Sequence, residues 1–334
     1  MKRRSILIML IFVAAIAAGY AYYLMRPVSS KAEYMVVEIP KDSGVKEIAE
    51  ILNNRGVIKS PAAFELRVLL QNKGGVLKAG KYAVSPDMNL DEIIRKFEAG
   101  DVVDDTVKVT FPEGFTIKDM ASKLESIGLF SQDEFIAAVK TYDTSRYEYL
   151  NAIPGDRSFR LEGYLYPDTY IFKVDAMPED IIGTMLTRFD VIYQSNIKDN
   201  LDGKKLDDII KVASMIEKEA VIDGDRPMIS SVIYNRLNKG MKLQIDATVQ
   251  YVIGSHKENL NLKDLDVNSP YNTYRVKGLP EGPISNPGLK SIMAALKPDQ
   301  TNYIYYVARK DGSHFFTDNY NEFLKKKNDF KEDK

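Results

Sequence analysis

Val36-Val37-Glu38-Ile39-Pro40 and its echo Val107-Lys108-Val109-Thr110-Phe111-Pro112 decide how this chain is built. Each is a short run rich in β-branched residues, stopped by a proline that cannot donate to a sheet ladder. Each is followed by apolar residues at helical spacing: Val45, Ile48, Ala49 and Leu52 after the first, Ile117, Met120, Ala121 and Leu124 after the second. Gly56 and Gly128 stop those helices. One constant offset aligns Ile39-Pro40 with Phe111-Pro112, Lys46 with Lys118, Ala49 with Ala121, Leu52 with Leu124 and Gly56 with Gly128. The pattern predicts a degenerate duplication of a small β-α-α unit. A pair of copies is too few for a solenoid. It reads either as a structural duplication or as modules that hold a polymer.

Outward from the first copy, Ser60-Pro61 opens a second helix, with Ser as N-cap and Pro at the first helical position. Gly80-Lys81-Tyr82-Ala83-Val84 reads as a returning strand, and Asn89-Leu90-Asp91-Glu92-Ile93-Ile94 begins a helix that ends near Gly100. Toward the N-terminus, a polar linker from Pro27 to Tyr34 follows an uncharged, mostly apolar run from Ser5 to Met25, itself preceded by Lys2-Arg3-Arg4. Such a run can just span a bilayer as a helix, and the basic cluster keeps the N-terminus on the cytoplasmic side. Tyr20, Tyr22 and Tyr23 suit its interface. A cleaved signal peptide is the alternative, with small residues around Ala15–Gly19 as the cleavage site.

Toward the C-terminus, Thr141–Arg160 is polar and carries Pro154-Gly155, which predicts a domain boundary. The expected organisation is an anchor over 1–27, a duplicated membrane-proximal region over 34–150 and a second domain over 155–325. That second domain reads as helices over Pro178–Ser195, Leu206–Val221 and Pro227–Leu237, then a hairpin of Ile304–Val307 and His314–Thr317 around Asp311-Gly312. From Lys325 the chain is a solvated charge run. The class is therefore α+β.

The chain's 334 residues suffice for more than one domain, and 45% apolar content can fill sizeable cores. A formal net charge of -1 argues against nucleic acid as a partner. There is no Cys, which excludes disulfides, thiolate metal sites and a Cys nucleophile, and the only His residues are His256 and His314. No HExxH, GxGxxG or GxxxxGK[ST] occurs. Neither a metal nor an organic cofactor is expected.

Chemistry concentrates on the helix Leu206–Ala220. At about 100° per residue, Leu206, Ile209, Ile210, Ala213, Ile216 and Ala220 gather on one face, with Glu217 near its middle. Lys211, Lys218 and Glu219 fall on sides expected to meet water. A carboxylate on an apolar stripe is costly unless it is paired, protonated or lining a cleft, and burial moves its pKa toward proton donation at neutral pH. Pairing with Arg188 or Arg236 is the purely structural alternative. In Glu162-Gly163-Tyr164-Leu165-Tyr166-Pro167-Asp168-Thr169-Tyr170, Tyr164 and Tyr166 alternate onto one face beside carboxylates, a combination suited to sugars. An aromatic core edge is the plain reading. Leu243–Tyr251 and Ser269–Tyr274 are dense in hydroxyl and amide groups that can bond sugar hydroxyls. Gly278–Gly288 is a Pro- and Gly-rich, shaped loop.

Taken in order, Glu162–Tyr170, Ala213-Ser214-Met215-Ile216-Glu217-Lys218-Glu219, Gln244–Tyr251, Ser269–Tyr274 and Gly278–Gly288 resemble the YceG-like (MltG) endolytic murein transglycosylase family. The resemblance covers nearly the whole chain. Glu281 stands where that family usually has a second Pro, and Phe323 where many members have His.

The resemblance implies a transmembrane anchor, a LysM-like region and a mixed α+β catalytic domain. It makes Glu217 the catalytic residue and Glu162, Tyr166, Gln244, Asp246, Thr248, Tyr271, Asn272 and Thr273 substrate-binding. It implies non-hydrolytic cleavage between N-acetylmuramic acid and N-acetylglucosamine within a strand, leaving 1,6-anhydro ends, on the outer side of the cytoplasmic membrane. Peptidoglycan synthases are the implied neighbours. The competing functions are a hydrolytic muramidase, pairing Glu217 with Glu162 or Asp246, and a non-catalytic wall-binding protein.

Overall fold

The computed structural model describes residues 2–103, 105–255, 257 and 260–332. The chain divides into two compact units between Asp105 and Thr106. His256 lies outside the described residues.

The first unit runs α1 (Lys2–Met25), β1 (Met35–Ile39), α2 (Val45–Asn54), α3 (Pro61–Leu70), β2 (Gly80–Val84) and α4 (Leu90–Ala99). After α1 this is the strand, helix, helix, strand, helix order expected from the sequence. β1 and β2 pair antiparallel with Val37 opposite Tyr82, and their inward residues pack with Ile48, Leu52, Phe64, Ile93 and Phe97 into one core. Asn89 and Glu92 close a capping box on α4, and left-handed Gly100 ends it. Many side chains of the expected span over residues 5–25 lie outside the described residues. Among the described residues, no helix is long and apolar enough to cross a membrane.

The second unit continues with β3 (Thr106–Thr110), α5 (Ile117–Ser126), α6 (Gln132–Thr141), β4 (Thr169–Lys173), α7 (Pro178–Ile192), α8 (Leu206–Glu219), α9 (Arg226–Asn238), α10 (Asp246–Ile253), α11 (Leu262–Leu265), α12 (Leu289–Leu296), β5 (Tyr305–Ala308), β6 (His314–Thr317) and α13 (Tyr320–Glu332). β3 pairs antiparallel with β4, Val109 opposite Tyr170, as β1 pairs with β2. The second copy of the duplication is therefore a whole β-α-α-β-α unit, β3 to α7. A long insertion before β4 hides this from a fixed-offset alignment.

The fold consequently draws its boundary at residue 105, ahead of the second copy, where the sequence placed it in the polar stretch 141–160. Phe111, Met120, Leu124 and Phe135 of that copy share one core with Ile210, Ile216 and Ile292. α8 is central to this core. Ile209, Ile210, Val212, Ala213, Met215 and Ile216 are all buried, so the helix is covered on several sides rather than along one stripe. The hairpin β5–β6 forms as expected. The charge run from Lys325 belongs to α13, whose Phe323 stacks on Tyr305 at 5.1 Å.

Candidate active site

The last turn of α8 presents Glu217, Lys218 and Glu219 to three different surroundings. Glu217 keeps only 7% of its side chain exposed. Its Oε2 accepts the backbone N–H of Gly288 at 3.0 Å, and its Oε1 accepts Arg226 Nη1 at 3.3 Å. Gly288 is the N-cap of α12, so the carboxylate sits where a helix presents its unpaired N–H groups. The partner is Arg226 rather than Arg188 or Arg236. Arg188 pairs with Asp168, and Arg236 donates to the carbonyls of Ile304 and Leu243. Arg226 is fixed in turn by Asp223 at 3.2 Å and by the Ser291 hydroxyl. Just before it, Asp225 accepts both the backbone N–H and Nδ1 of buried His314 at 2.7 and 2.9 Å, which pins the start of α9.

A second carboxyl, Glu113, shares this place. It follows Pro112 at the end of β3, where Gly114 turns back at φ +79°. A Cβ built on Gly114 would come 3.5 Å from Glu217 Cγ, so the turn lies over the Glu217 side chain. A Cβ on Gly288 would meet Glu113 Oε1 at 1.9 Å. Gly288 thus holds one carboxylate on its N–H and leaves room for the other against its Cα. Glu113 is open to solvent, and its carboxyl is raised above the ordinary range, first by partial desolvation and then by the negative charge of Glu217. Tyr166 lies close enough to feel the charge of Glu113, with Arg188 over its ring at 5.7 Å. The sequence reading missed Glu113 and Arg226, and had Gly288 only as the end of the shaped loop Gly278–Gly288. Only the Pro112-Glu113-Gly114 turn, directly after a strand, pointed toward the first.

Asn286 ties the surrounding loops together. Its amide oxygen accepts the N–H groups of Gly163 and Leu165 at 2.9 and 3.0 Å, and its amide nitrogen donates to Phe115 O and Glu162 Oε1, both at 2.9 Å. Glu162 is wholly buried. It also accepts the N–H of Ile117 at the start of α5 and the hydroxyl of Tyr251, both at 3.1 Å. Burial pushes its carboxyl up to about 8 against the opposing pull of these donors. Buried and bonded to three elements, Glu162 braces these loops. The Gly278–Gly288 loop docks on α8 where Ile284 N–H meets Ser214 Oγ at 3.0 Å.

The other residues expected to bind substrate divide by burial. Thr248, Asn272 and Thr273 are fully buried, and Tyr271 nearly so. Thr273 Oγ1 accepts the N–H of Ile245 and pairs with Thr248 Oγ1, both at 2.9 Å. Asn272 donates to the carbonyls of Leu265 and Val267 at 2.9 and 2.8 Å. The threonines tie the Leu243–Asp246 turn and α10 to the Tyr271–Tyr274 turn, and Asn272 ties the latter to the end of α11. Gln244 and Asp246, by contrast, are exposed. They sit not beside Glu217 but beside Glu219, in a pocket also lined by Tyr274, Tyr305 and Tyr306.

The surroundings of Glu219 correct the helical-wheel expectation. Tyr306 donates to its Oε2 at 3.1 Å, and Ala247 at the start of α10 donates a backbone bond. Desolvation lifts its carboxyl to about 7. A helical wheel sees one helix, whereas α10 and β5 close on this side from distant sequence.

Residues 37–329 match the YceG-like family profile. A protein of Bacillus subtilis (strain 168) named endolytic murein transglycosylase is 37% identical over 321 residues, 92% of this chain and 88% of that protein. A protein of the same name from Streptococcus pneumoniae (strain R6) is 30% identical over 344 residues, 93% of this chain and 62% of that longer protein. The crystal structure of a YceG-like protein from Listeria monocytogenes superposes with a TM-score of 0.60 at 36% identity, covering 88% of this chain and 99% of that one.

Proposed function

Because this chain belongs to the YceG-like family, we propose that it is a lytic transglycosylase that cuts within peptidoglycan glycan strands, with Glu217 as the proton carrier. The observation that carries the reading is the carboxyl pair on Gly288: Glu217 held on its N–H, Glu113 against its Cα. Desolvation and the nearby charge of Glu217 raise the Glu113 carboxyl above its ordinary range.

In the proposed reaction, Glu217 protonates the glycosidic oxygen between N-acetylmuramic acid and N-acetylglucosamine. The substrate's own N-acetyl oxygen meets the developing oxocarbenium charge. Glu217, now a carboxylate, takes the proton from the muramic C6 hydroxyl as that oxygen closes on C1. One residue does acid and then base work. The backbone N–H of Gly288 and Arg226 hold the carboxylate in place through both steps.

The nearness of Glu113 also favours a second reading, in which it activates a water that hydrolyses the glycosidic bond. Mass analysis of digested strands separates the two, because anhydro ends weigh one water less than reducing ends. No turnover on purified strands would leave only a wall-binding role.

The proposal extends to placement. Lys2-Arg3-Arg4 and the run Ser5–Met25 support an uncleaved anchor with the catalytic unit outside the cytoplasm, within reach of peptidoglycan synthases. The LysM-like repeats would hold polymer near the membrane. Protease added to spheroplasts should then degrade residues beyond about 30 while sparing the N-terminus, since the basic cluster stays inside. A soluble mature protein beginning near Ala18 opposes this.

A further inference from the structure

Resting on the anchor proposed above, we propose that the outer face of α3 is a second membrane contact, with Leu66, Leu69 and Leu70 lying in the headgroup–acyl boundary beside the last turn of α1.

α3 has two apolar faces. Phe64 and Val68 point inward and are buried, as is Ala63. At about 100° per residue, Ala62, Leu66, Leu69 and Leu70 fall within an arc of about 100° on the opposite side. All four are exposed, Leu66 at 45%, Leu69 at 72% and Leu70 at 66%. A leucine exposed singly needs no explanation, but a contiguous apolar face marks something that covers it. Arg67 on its border is neutralised by a bidentate pair with Asp91 at 2.6 and 2.7 Å.

The end of α1 identifies the cover. Leu24 and Met25 pack against the core of the same unit. The chain that follows is tied down as well. Ser29 N–H donates to the Pro86 carbonyl at 3.0 Å, and Glu33 N–H donates to the hydroxyl of buried Ser85 at 2.9 Å. The first unit is thus held against the end of α1 rather than hung from a loose tether. On the anchor reading, Tyr20, Tyr22 and Tyr23 sit at the membrane–water interface. α3 borders that belt directly. Lys59, just before its N-cap, holds Nζ 4.0 Å from the centre of the Tyr23 ring, and Arg67 lines a hollow with Tyr22, Met25 and Arg26. Leu70 lies only about 60° around the helix from Arg67. A bilayer that takes in α1 therefore lies alongside the leucine face. Charge fits the same occupant. Lys59 and Arg26 rest over tyrosine rings and have no carboxylate partner among the described residues, so both can meet lipid phosphate.

The test uses the full chain in lipid vesicles. The sequence has no cysteine, so one fluorescent label at a time can be placed at Leu66→Cys, Leu69→Cys or Leu70→Cys. Ile16→Cys in α1 and Glu50→Cys on the exposed side of α2 are the references. Quenchers carried at shallow and deep positions of the lipid chains should place the three α3 labels about 5–10 Å into the headgroup–acyl boundary, the depth of a helix lying in the interface. The Glu50→Cys label should answer only to a water-soluble quencher, and all melting temperatures should match wild type. Lipid quenching at Ile16→Cys without quenching on α3 overturns the contact and leaves the anchor standing. Quenching on α3 without quenching at Ile16→Cys keeps the contact and rejects the span. No lipid quenching at any position rejects both. Labels on α3 shielded from lipid and water alike, with disulfides forming between Leu69→Cys chains, would give the face to a second copy and reject the membrane.

Discussion

Glu217 Oε2 accepts the backbone N–H of Gly288 at 3.0 Å, a bond that joins positions 71 residues apart and fixes the carboxylate at the start of α12. The same glycine leaves the space that Glu113 fills. The candidate site is thus centred on a residue with no side chain, and the expected behaviour of variants follows from that geometry.

Glu217→Gln keeps the shape but cannot shuttle a proton. Cleavage should fall by at least about a hundredfold, the usual contribution of general acid catalysis, while folding is kept. Counting anhydro-muramic ends released from long strands, alongside a melting curve, measures both. Near-wild-type release from a folded Glu217→Gln protein would remove the residue from the mechanism.

Glu113→Gln should act on the pH profile rather than on strand binding. The Glu113 carboxyl is raised by partial desolvation and then by the charge of Glu217. The variant removes that raised carboxyl, so any limb of the pH–rate curve that it sets should be lost. A profile identical to wild type would show that Glu113 does not titrate in the reaction.

Gly288→Ala tests the shared space directly. The backbone at Gly288, φ −77° and ψ 168°, is open to any residue, so no strain arises there. The added methyl instead falls 1.9 Å from Glu113 Oε1. Glu113 must swing away, and the pH profile should come to resemble that of Glu113→Gln. An unaltered profile would mean that the carboxylate relocates without consequence.

Asn286→Ala removes an amide saturated by four bonds inside the protein. Buried groups left without partners cost about 1–3 kcal/mol each. A stability loss of at least about 3 kcal/mol is expected in urea unfolding, since several such groups are stranded together. A change below about 1 kcal/mol, the net worth of a single ordinary hydrogen bond, would show that the loops hold without this brace.

Stability should fall as pH rises through neutrality. Glu162 is lifted from an ordinary 4.5 to about 8, and Glu219 to about 7. Between the ordinary and the raised values, the folded protein holds protons that the unfolded chain has already released, so unfolding becomes easier with each step in pH. Urea midpoints at pH 5.5 should exceed those at pH 8, and Glu162→Gln should flatten the slope even if it lowers the absolute values. A midpoint that rises with pH contradicts the burial of these carboxyls.

Sequence by itself determined the local architecture. Proline-stopped β-branched runs, helical spacing, capping residues and Gly stops placed β1 to α4, α8, α9 and the β5–β6 hairpin within a few residues, because each depends on contacts or steric limits inside a short window. It also singled out Glu217, since a lone carboxylate on an apolar stripe is visible on a wheel. Tertiary structure alone decided who surrounds that carboxylate. Glu113, Arg226 and Gly288 come from separate turns and helices, and nothing local marks them as neighbours. It likewise decided that Glu219 is enclosed by α10 and β5, that Glu162, Thr248, Asn272 and Thr273 face inward, and that the duplication runs through β4. Burial is a property of what packs against a residue, and here the packing elements lie tens of residues away.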